Sequence, residues 1–332
     1  MLLPTLAAAL LIHAAPPADT SLAALRRQVE AIAAASGATV GVGVVDLETD
    51  ERWSVNGTEA FPLQSVFKLS LALLVLKRAE AGALRLDARV PVARADLRPG
   101  FSPLADRFPN EGTRFTLREL LRRAASESDN TAADLLLRRV GGPAAVTRHL
   151  RAAGIRGFRV DRGEGELALD YHGIARGPGR GARDAFAALL ARQPADARRA
   201  AFEAYIRDPR DTATPEAAAS LLALLWRGRA LRPAGTALLL RMLTETPTGP
   251  NRLRGMLPAG TPVAHKTGTA GEMDGVAAVV NDVGIVTLPN GRHVVVAVLV
   301  KRATRGIESG ERAIATIARA VHDHYAALPP RR

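Results

Sequence analysis

The chain has 332 residues, 47% of them hydrophobic, enough for one large domain or two lobes, and no cysteine, which excludes disulfides and thiol chemistry. A net charge of +12 raises nucleic acid as a partner, but the arginines are scattered along helical stretches, often in pairs such as Arg26-Arg27 and Arg138-Arg139. Aromatic residues make up only 4% of the chain, so stacking platforms are absent, the basic residues read as solvated faces, and nucleic acid is not expected.

In chain order, residues 2–11 form a short apolar stretch, followed by His13-Ala14-Ala15 and the polar Pro16-Pro17-Ala18-Asp19. This reads as an export signal, residues 1–15, cleaved near Ala14 or Ala15, and implies a periplasmic or secreted protein. No membrane span is expected. Residues 19–330 are expected to form a single domain. Residues 20–35 are an amphipathic helix capped at Asp19 or Thr20, and 39–47 alternate as a strand that turns near Glu48-Thr49-Asp50 into 52–55.

A helix is expected from Ser65 onward, because Phe61-Pro62-Leu63 precedes it and an unbroken apolar run, Leu71 to Leu76, follows. Thr116-Leu117-Arg118-Glu119 is a capping box that opens a helix over 116–126. Three late strands are predicted at 262–267, at 275–288 with a break near Asn281, and at 293–301, the last pair joined through Pro289-Asn290-Gly291. A helix over 307–325 closes the chain. The fold class is α+β: an antiparallel five-stranded sheet, built from 19–60 and 255–330 and flanked by helices, plus an all-helical lobe over 61–254. The active site is expected between the lobes.

Four stretches stand in an order that a serine acyl-transfer enzyme needs: Ser65-Val66-Phe67-Lys68, Ser128-Asp129-Asn130, Glu164-Gly165-Glu166-Leu167 and Lys266-Thr267-Gly268-Thr269. A serine hydroxyl is a poor nucleophile and must lose its proton to a neighbouring base as it attacks. On a helix Ser65 and Lys68 share a face, so the amine reaches the hydroxyl. Taken singly, Ser65 reads as a helix cap, Ser128-Asp129-Asn130 as a cap and turn, and Lys266-Thr267-Gly268 as a strand end. Their joint order, with two of only four lysines inside the motifs, favours chemistry.

On these motifs the chain resembles the class A serine β-lactamases, whose Ser-x-x-Lys, Ser-Asp-Asn and Lys-Thr-Gly pattern it carries. Phe101-Ser102-Pro103-Leu104 is similar to the loop with the family's aromatic gatekeeper. Asp161-Arg162-Gly163-Glu164 is similar to the opening of its omega loop, and Arg210-Asp211-Thr212 to the exit. The resemblance implies hydrolysis of small-molecule β-lactam antibiotics through a serine acyl-enzyme, with resistance as the outcome, no cofactor, no metal and a monomeric protein. It implies Ser65 as nucleophile, Lys68 as base or partner of the base, and Glu164 as the carboxylate that activates the deacylating water. Ser128 relays a proton to the lactam nitrogen, supported by Lys266. Phe101, Asn130, Thr267, Gly268, Thr269 and Arg252 bind substrate, Arg252 by supporting the carboxylate pocket.

Ala168 and Asp134 depart from the family pattern, each standing where asparagine is usual, as in a minority branch with an altered omega loop. Glu166 is the alternative acid to Glu164, and His265 has no assigned role. From Arg162 to Asp211 the loop exceeds the family norm by roughly thirty residues, beyond the length of an ordinary unstructured connection. An insertion over about 170–207 is expected to be helical, either as a lid over the site or as a decoration packed away from it. The rival readings are a D-alanyl-D-alanine serine peptidase and a noncatalytic penicillin-binding domain.

Overall fold

The structure, a computed structural model, describes residues 21–108 and 112–330. The expected signal at 1–15 and the caps at Asp19 or Thr20 lie outside the described residues. The first helix, α1 (Leu22–Ala35), is capped by Ser21, whose hydroxyl accepts from the Ala24 N–H at 3.2 Å. Two strands follow, β1 (Thr39–Asp46) and β2 (Arg52–Val55), then a short β3 (Phe61–Pro62) and a 3₁₀ turn at Gln64–Val66 that leads into α2 (Phe67–Glu80). From Phe67 to Leu76 every side chain of α2 is buried, the pattern of a helix enclosed on all sides. Lys68 is the one charged side chain in that run.

Helices dominate the middle of the chain. They are α3 (Pro103–Arg107), α4 (Leu117–Ala125), α5 (Asn130–Arg139), α6 (Pro143–Ala152), α7 (Glu164–Tyr171), α8 (Arg183–Leu190), α9 (Ala195–Arg207), α10 (Pro215–Trp226) and α11 (Pro233–Thr244). The lobe over 61–254 is not all-helical as expected, because two short ladders sit among its helices: β4 (Arg89–Pro91) pairs with β5 (Arg114–Thr116), and β6 (Thr212–Ala213) pairs with β3. The Thr116–Glu119 capping box forms as expected. The chain ends with β7 (Val263–Thr269), β8 (Glu272–Met273), β9 (Val276–Thr287), β10 (His293–Ala303) and α12 (Gly306–Ala326).

The main sheet runs β2-β1-β10-β9-β7, all antiparallel, with β8 added on β9, so the expected five strands carry a sixth short one. Alternation along β10 divides its apolar side chains between two cores. Val294, Val296, Val298 and Val300 face α1 and α12, whereas Val295, Ala297 and Leu299 join the helical core that includes α2 and α10. The approach of α10 is close because β1 has glycine on that face: a Cβ at Gly43 would meet the Pro215 carbonyl oxygen at 2.5 Å.

The break expected near Asn281 does not occur. The strand continues, with Asn281 opposite Leu299 on one side and Gly268 on the other. A buried amide suits this strand because its polar ends are used: Nδ2 donates to the Pro62 and Leu63 carbonyls at 2.8 and 3.2 Å, and Oδ1 accepts from Val300 N–H at 3.0 Å. Among the described residues no helix is long and apolar enough to cross a membrane.

Candidate active site

Ser65 sits in the 3₁₀ turn rather than in α2 itself, and the strain of that turn is local. Gln64, the first residue of the turn, has φ +47°, and its Nε2 donates to Tyr205 Oη at 2.6 Å. Asn281 holds the two preceding carbonyls, and Leu63 N–H donates to Asp211 O at 2.8 Å. The serine is thus delivered by contacts from three distant segments. Lys68, one turn on, brings Nζ to 3.0 Å from Ser65 Oγ.

Lys68 is fully buried and its Nζ also donates to Ser128 O at 2.6 Å and Asn130 Oδ1 at 2.7 Å. Those contacts use the three N–H bonds of an ammonium. Glu164 Oε1 lies 2.9 Å from the same nitrogen and is buried without a hydrogen-bond partner of its own, so this contact is an ion pair off the N–H directions. Turning one N–H of the ammonium toward Glu164 would open a proton path across this 2.9 Å contact.

Ser128 bridges the two lysines. Its φ of +65° turns the carbonyl to Lys68 while its hydroxyl accepts from Lys266 Nζ at 2.9 Å. Lys266, on β7, is wholly buried, and that burial, together with the charge of Lys68, pushes its ammonium well below the ordinary lysine range. Asp129 caps α5 by accepting from Ala132 N–H at 2.8 Å and also accepts from Leu104 N–H at 2.6 Å, which anchors the loop bearing Phe101. Asn130 completes that side: its Nδ2 donates to Pro99 O at 2.9 Å.

Glu164 is the first residue of α7. Its backbone N–H donates to Asp134 Oδ1 at 2.7 Å and that of Gly165 to Oδ2 at 3.2 Å, while Arg98 Nε donates to the same carboxylate at 2.5 Å. An ionised carboxylate suits a helix N-terminus, where the free N–H groups point at it. Glu166 turns outward instead. Its side chain is about half exposed, accepts from Gly163 N–H at 3.3 Å and pairs with Arg176.

At β7, the edge strand next to the nucleophile, Gly268 has no room for a side chain because a Cβ would meet Leu63 O at 2.4 Å. Thr267 shares a hydrogen bond with Thr248 through their hydroxyls, 2.6 Å apart. Arg252 lies beneath the strand, 4% exposed, and is neither a solvated surface arginine nor part of the cleft wall. Its guanidinium donates to Gly268 O, Asn281 O, Thr269 Oγ1 and Glu311, so it reaches the pocket only through Thr269. His265, behind Lys266, is buried with Nδ1 2.8 Å from Asp282.

Ser65, Asn130, Glu164, Thr269 and Phe101 line one cleft of about 290 Å³. Tyr171, His172 and Phe186 line it too, so the expected insertion is not packed away from the site. A larger hollow of about 510 Å³ between α1 and α12 contains no lysine and no serine–lysine pair, and volume alone does not make it a reaction centre.

Several residues that shape the site had no motif to announce them: Asp134's capping role, Arg98, Asn281 and Tyr205. The Asn281-Asp282 pair inside an apolar strand was the one available signal. It looked like a break because a side chain reaching across 219 positions of sequence leaves no local mark.

A nucleophilic serine beside a buried lysine, a buried glutamate and a second lysine on an edge strand define a serine acyl-transfer enzyme. Residues 24–325 match the model of the Beta-lactamase enzyme family. Extended-spectrum beta-lactamase PER-1 of Pseudomonas aeruginosa is 34% identical over 90% of this chain and 86% of its own length. Beta-lactamase VEB-1 of the same organism is 30% identical over 91% and 90%. The crystal structure of a beta-lactamase from Chitinophaga pinensis superposes with a TM-score of 0.76 at 34% identity, covering 91% of this chain and 99% of that one. That of the TLA-3 extended-spectrum beta-lactamase gives 0.77 at 30%, covering 92% and 100%. The chain belongs to the β-lactamase family, as a class A serine enzyme.

Proposed function

We propose that the protein hydrolyses β-lactams in two steps, with Ser65 acylated by the opened lactam and Glu164 driving release of the product. The observation that carries this reading is the meeting of three groups: Lys68 Nζ lies 3.0 Å from Ser65 Oγ and 2.9 Å from Glu164 Oε1. As an ammonium donating to Ser65, Lys68 cannot accept the serine proton. Passing one proton to Glu164 frees its lone pair, and Lys68 then takes the proton of Ser65 as Oγ bonds to the lactam carbonyl carbon.

The carbonyl oxygen becomes an oxyanion, held by the backbone N–H groups of Ser65 and Thr269, which usually supply the largest electrostatic contribution in acyl transfer. As the C–N bond breaks, the Ser128 hydroxyl protonates the departing nitrogen and is resupplied from Lys266, whose Nζ donates to it at 2.9 Å. Lys68 passes the Ser65 proton on to the relay that serves the nitrogen and takes back the proton lent to Glu164. In the second step Glu164, ionised again, takes a proton from water. The hydroxide attacks the ester carbon, the C–O bond to Ser65 breaks, and Ser65 recovers its proton. Lys266, Thr267 and Thr269 receive the substrate carboxylate, and Asn130 holds the acylamide with the Nδ2–H not given to Pro99. In this reading the Arg162–Asp211 segment is an enlarged omega loop. Export is supported by the apolar stretch at 2–11, and a monomeric state is what the family resemblance implies.

Steady-state hydrolysis of a penicillin and a chromogenic cephalosporin, with intact-mass detection, tests the proposal. Ser65→Ala is expected to show no covalent adduct, and Glu164→Gln to accumulate one. An adduct that clears from Glu164→Gln at the parent rate but stalls in Glu166→Gln would move the deacylating role to Glu166. Turnover of a D-alanyl-D-alanine peptide together with stable acylation by penicillin would restore the peptidase reading.

A further inference from the structure

The excursion between Arg162 and Asp211 is tied to both sides of the cleft. On the sheet side, α9 packs Phe202, Tyr205 and Ile206 into one cluster with Ala270, Ala278 and Val279. On the helical side, Arg183 N–H donates to Leu97 O at 2.8 Å, and Asp184 pairs with Arg94 at 2.7 Å. Between these ties the excursion contributes three aromatic rings to the cleft lining, besides Phe101. Tyr171 and His172 are 4.9 Å apart at 88°, and His172 and Phe186 are 5.4 Å apart at 63°, both edge-to-face.

This wall is electrically quiet. Tyr171 donates its hydroxyl to Gly271 O at 3.2 Å, and burial pushes the phenol up to about 12. Burial, aided by the charge of Arg198, lowers His172, so its imidazole is neutral near pH 7. The polar groups that line the cleft lie elsewhere, on Gln64, Ser65, Asn130, Glu164 and Thr269, with Lys266 and Thr267 on the same strand as Thr269. For a lactam laid with its carboxylate on β7 and its carbonyl on Ser65, these rings are cleft lining left available to its acyl substituent.

We infer that His172 and Phe186 form a specificity wall that receives a planar, uncharged aromatic or heteroaromatic acyl substituent, gripping it edge-to-face. The inference rests on the reading of the protein as a β-lactam hydrolase and names the substrate feature which that site selects. Edge-to-face contact is the preferred geometry of aromatic pairs, and a ring left without it loses both contact area and orientation.

The test uses two penicillins with the same nucleus, one phenylacetamido and one acetamido, on the full-length enzyme. The quantity read is the ratio of their kcat/KM values. In His172→Ala and in Phe186→Leu, which keeps an apolar side chain against Leu169 and Ile174, the ratio is expected to fall on the order of tenfold, chiefly through KM. His172→Phe is expected to retain it. A ratio that stays at the parent value in both variants overturns the wall, because general loosening would slow both lactams alike. Should Phe186→Leu not fold, the His172 variants decide alone. A parent that hydrolyses neither lactam sinks the functional reading itself, a failure seen without any variant.

Discussion

The carboxylate of Asp134 accepts the backbone N–H of Glu164 at 2.7 Å, so one buried acid caps the turn that carries another to the nucleophile's lysine. The same carboxylate accepts from Gly165 N–H and from Arg98, which fixes it from the opposite side. Asparagine at position 134 would place an amide N–H against one of these donors. The aspartate is therefore matched to three donors, and its charge suits the N-terminus of α7.

Removing this cap should act on deacylation. Asp134→Ala leaves the Glu164 and Gly165 N–H groups without their acceptor and Arg98 without its carboxylate, at a cost of about 1.5–3 kcal/mol for hydrogen bonds to a charged group. Because Glu164 also takes the proton that frees Lys68, acylation is expected to slow somewhat, but deacylation, which needs Glu164 to hold and deprotonate the water, is expected to slow more, by on the order of tenfold or more. Pre-steady-state mass spectrometry resolves the two rates. Equal slowing of both would mean that Asp134 supports the whole site rather than Glu164.

Arg252 offers a second prediction. Its guanidinium is buried against Glu311, two strand carbonyls and the Thr269 hydroxyl. Breaking a buried ion pair from one side typically costs about 3–5 kcal/mol, so Arg252→Ala should show a clear loss in denaturant unfolding. Through Thr269 it should also lower kcat/KM by a factor corresponding to about 1.5–3 kcal/mol. Lost activity with unchanged stability would point instead to a direct contact with substrate.

What the sequence could tell depended on the range of each contact. Ser65 and Lys68 are three residues apart, and the Thr116–Glu119 box is equally local, so spacing alone brings their side chains together. The order of motifs identified the glutamate and the second lysine. Asp134 and Glu164 meet across 30 residues, Gln64 and Tyr205 across 141, and no periodicity carries such a pairing. Arg252 was singled out by its place in a motif, but its depth was not legible, because burial of an arginine depends on acceptors from β7, β9 and α12 that only the assembled sheet supplies. His265 was left without a role for the same reason: its partner, Asp282, is on the neighbouring strand.

Lys266 makes the pH dependence predictable in sign. Burial and the nearby charge of Lys68 both disfavour its ammonium, so it loses its proton at a lower pH than an exposed lysine. If that charge receives the substrate carboxylate, kcat/KM should fall on the alkaline side well below the usual lysine range near 10.5. Lys266→Arg keeps its charge at any working pH and should flatten that limb, even where the overall rate is lower. An alkaline limb that stays in place in Lys266→Arg would assign the titration to another group.

The two helices of the 162–211 excursion should differ in local stability. Among the side chains of α8 only Phe186 is buried, and its ties to the helical lobe include two exposed ion pairs, Arg94–Asp184 and Arg183–Asp106. Exposed pairs contribute about 0–1 kcal/mol each. By contrast α9 buries Phe202, Tyr205 and Ile206, and full burial of a large apolar side chain is worth about 1.5–3 kcal/mol. Several such side chains outweigh one ring and two surface pairs. Native-state hydrogen exchange is therefore expected to show the amides of Arg183–Leu190 opening well before those of Ala195–Arg207. Since Phe186 rides on the weaker helix, opening of α8 would withdraw one ring of the cleft wall while Tyr205 still holds Gln64 beside the nucleophile. Equal protection of the two helices would show that the excursion opens as a single unit, and that this separation of wall from nucleophile does not exist.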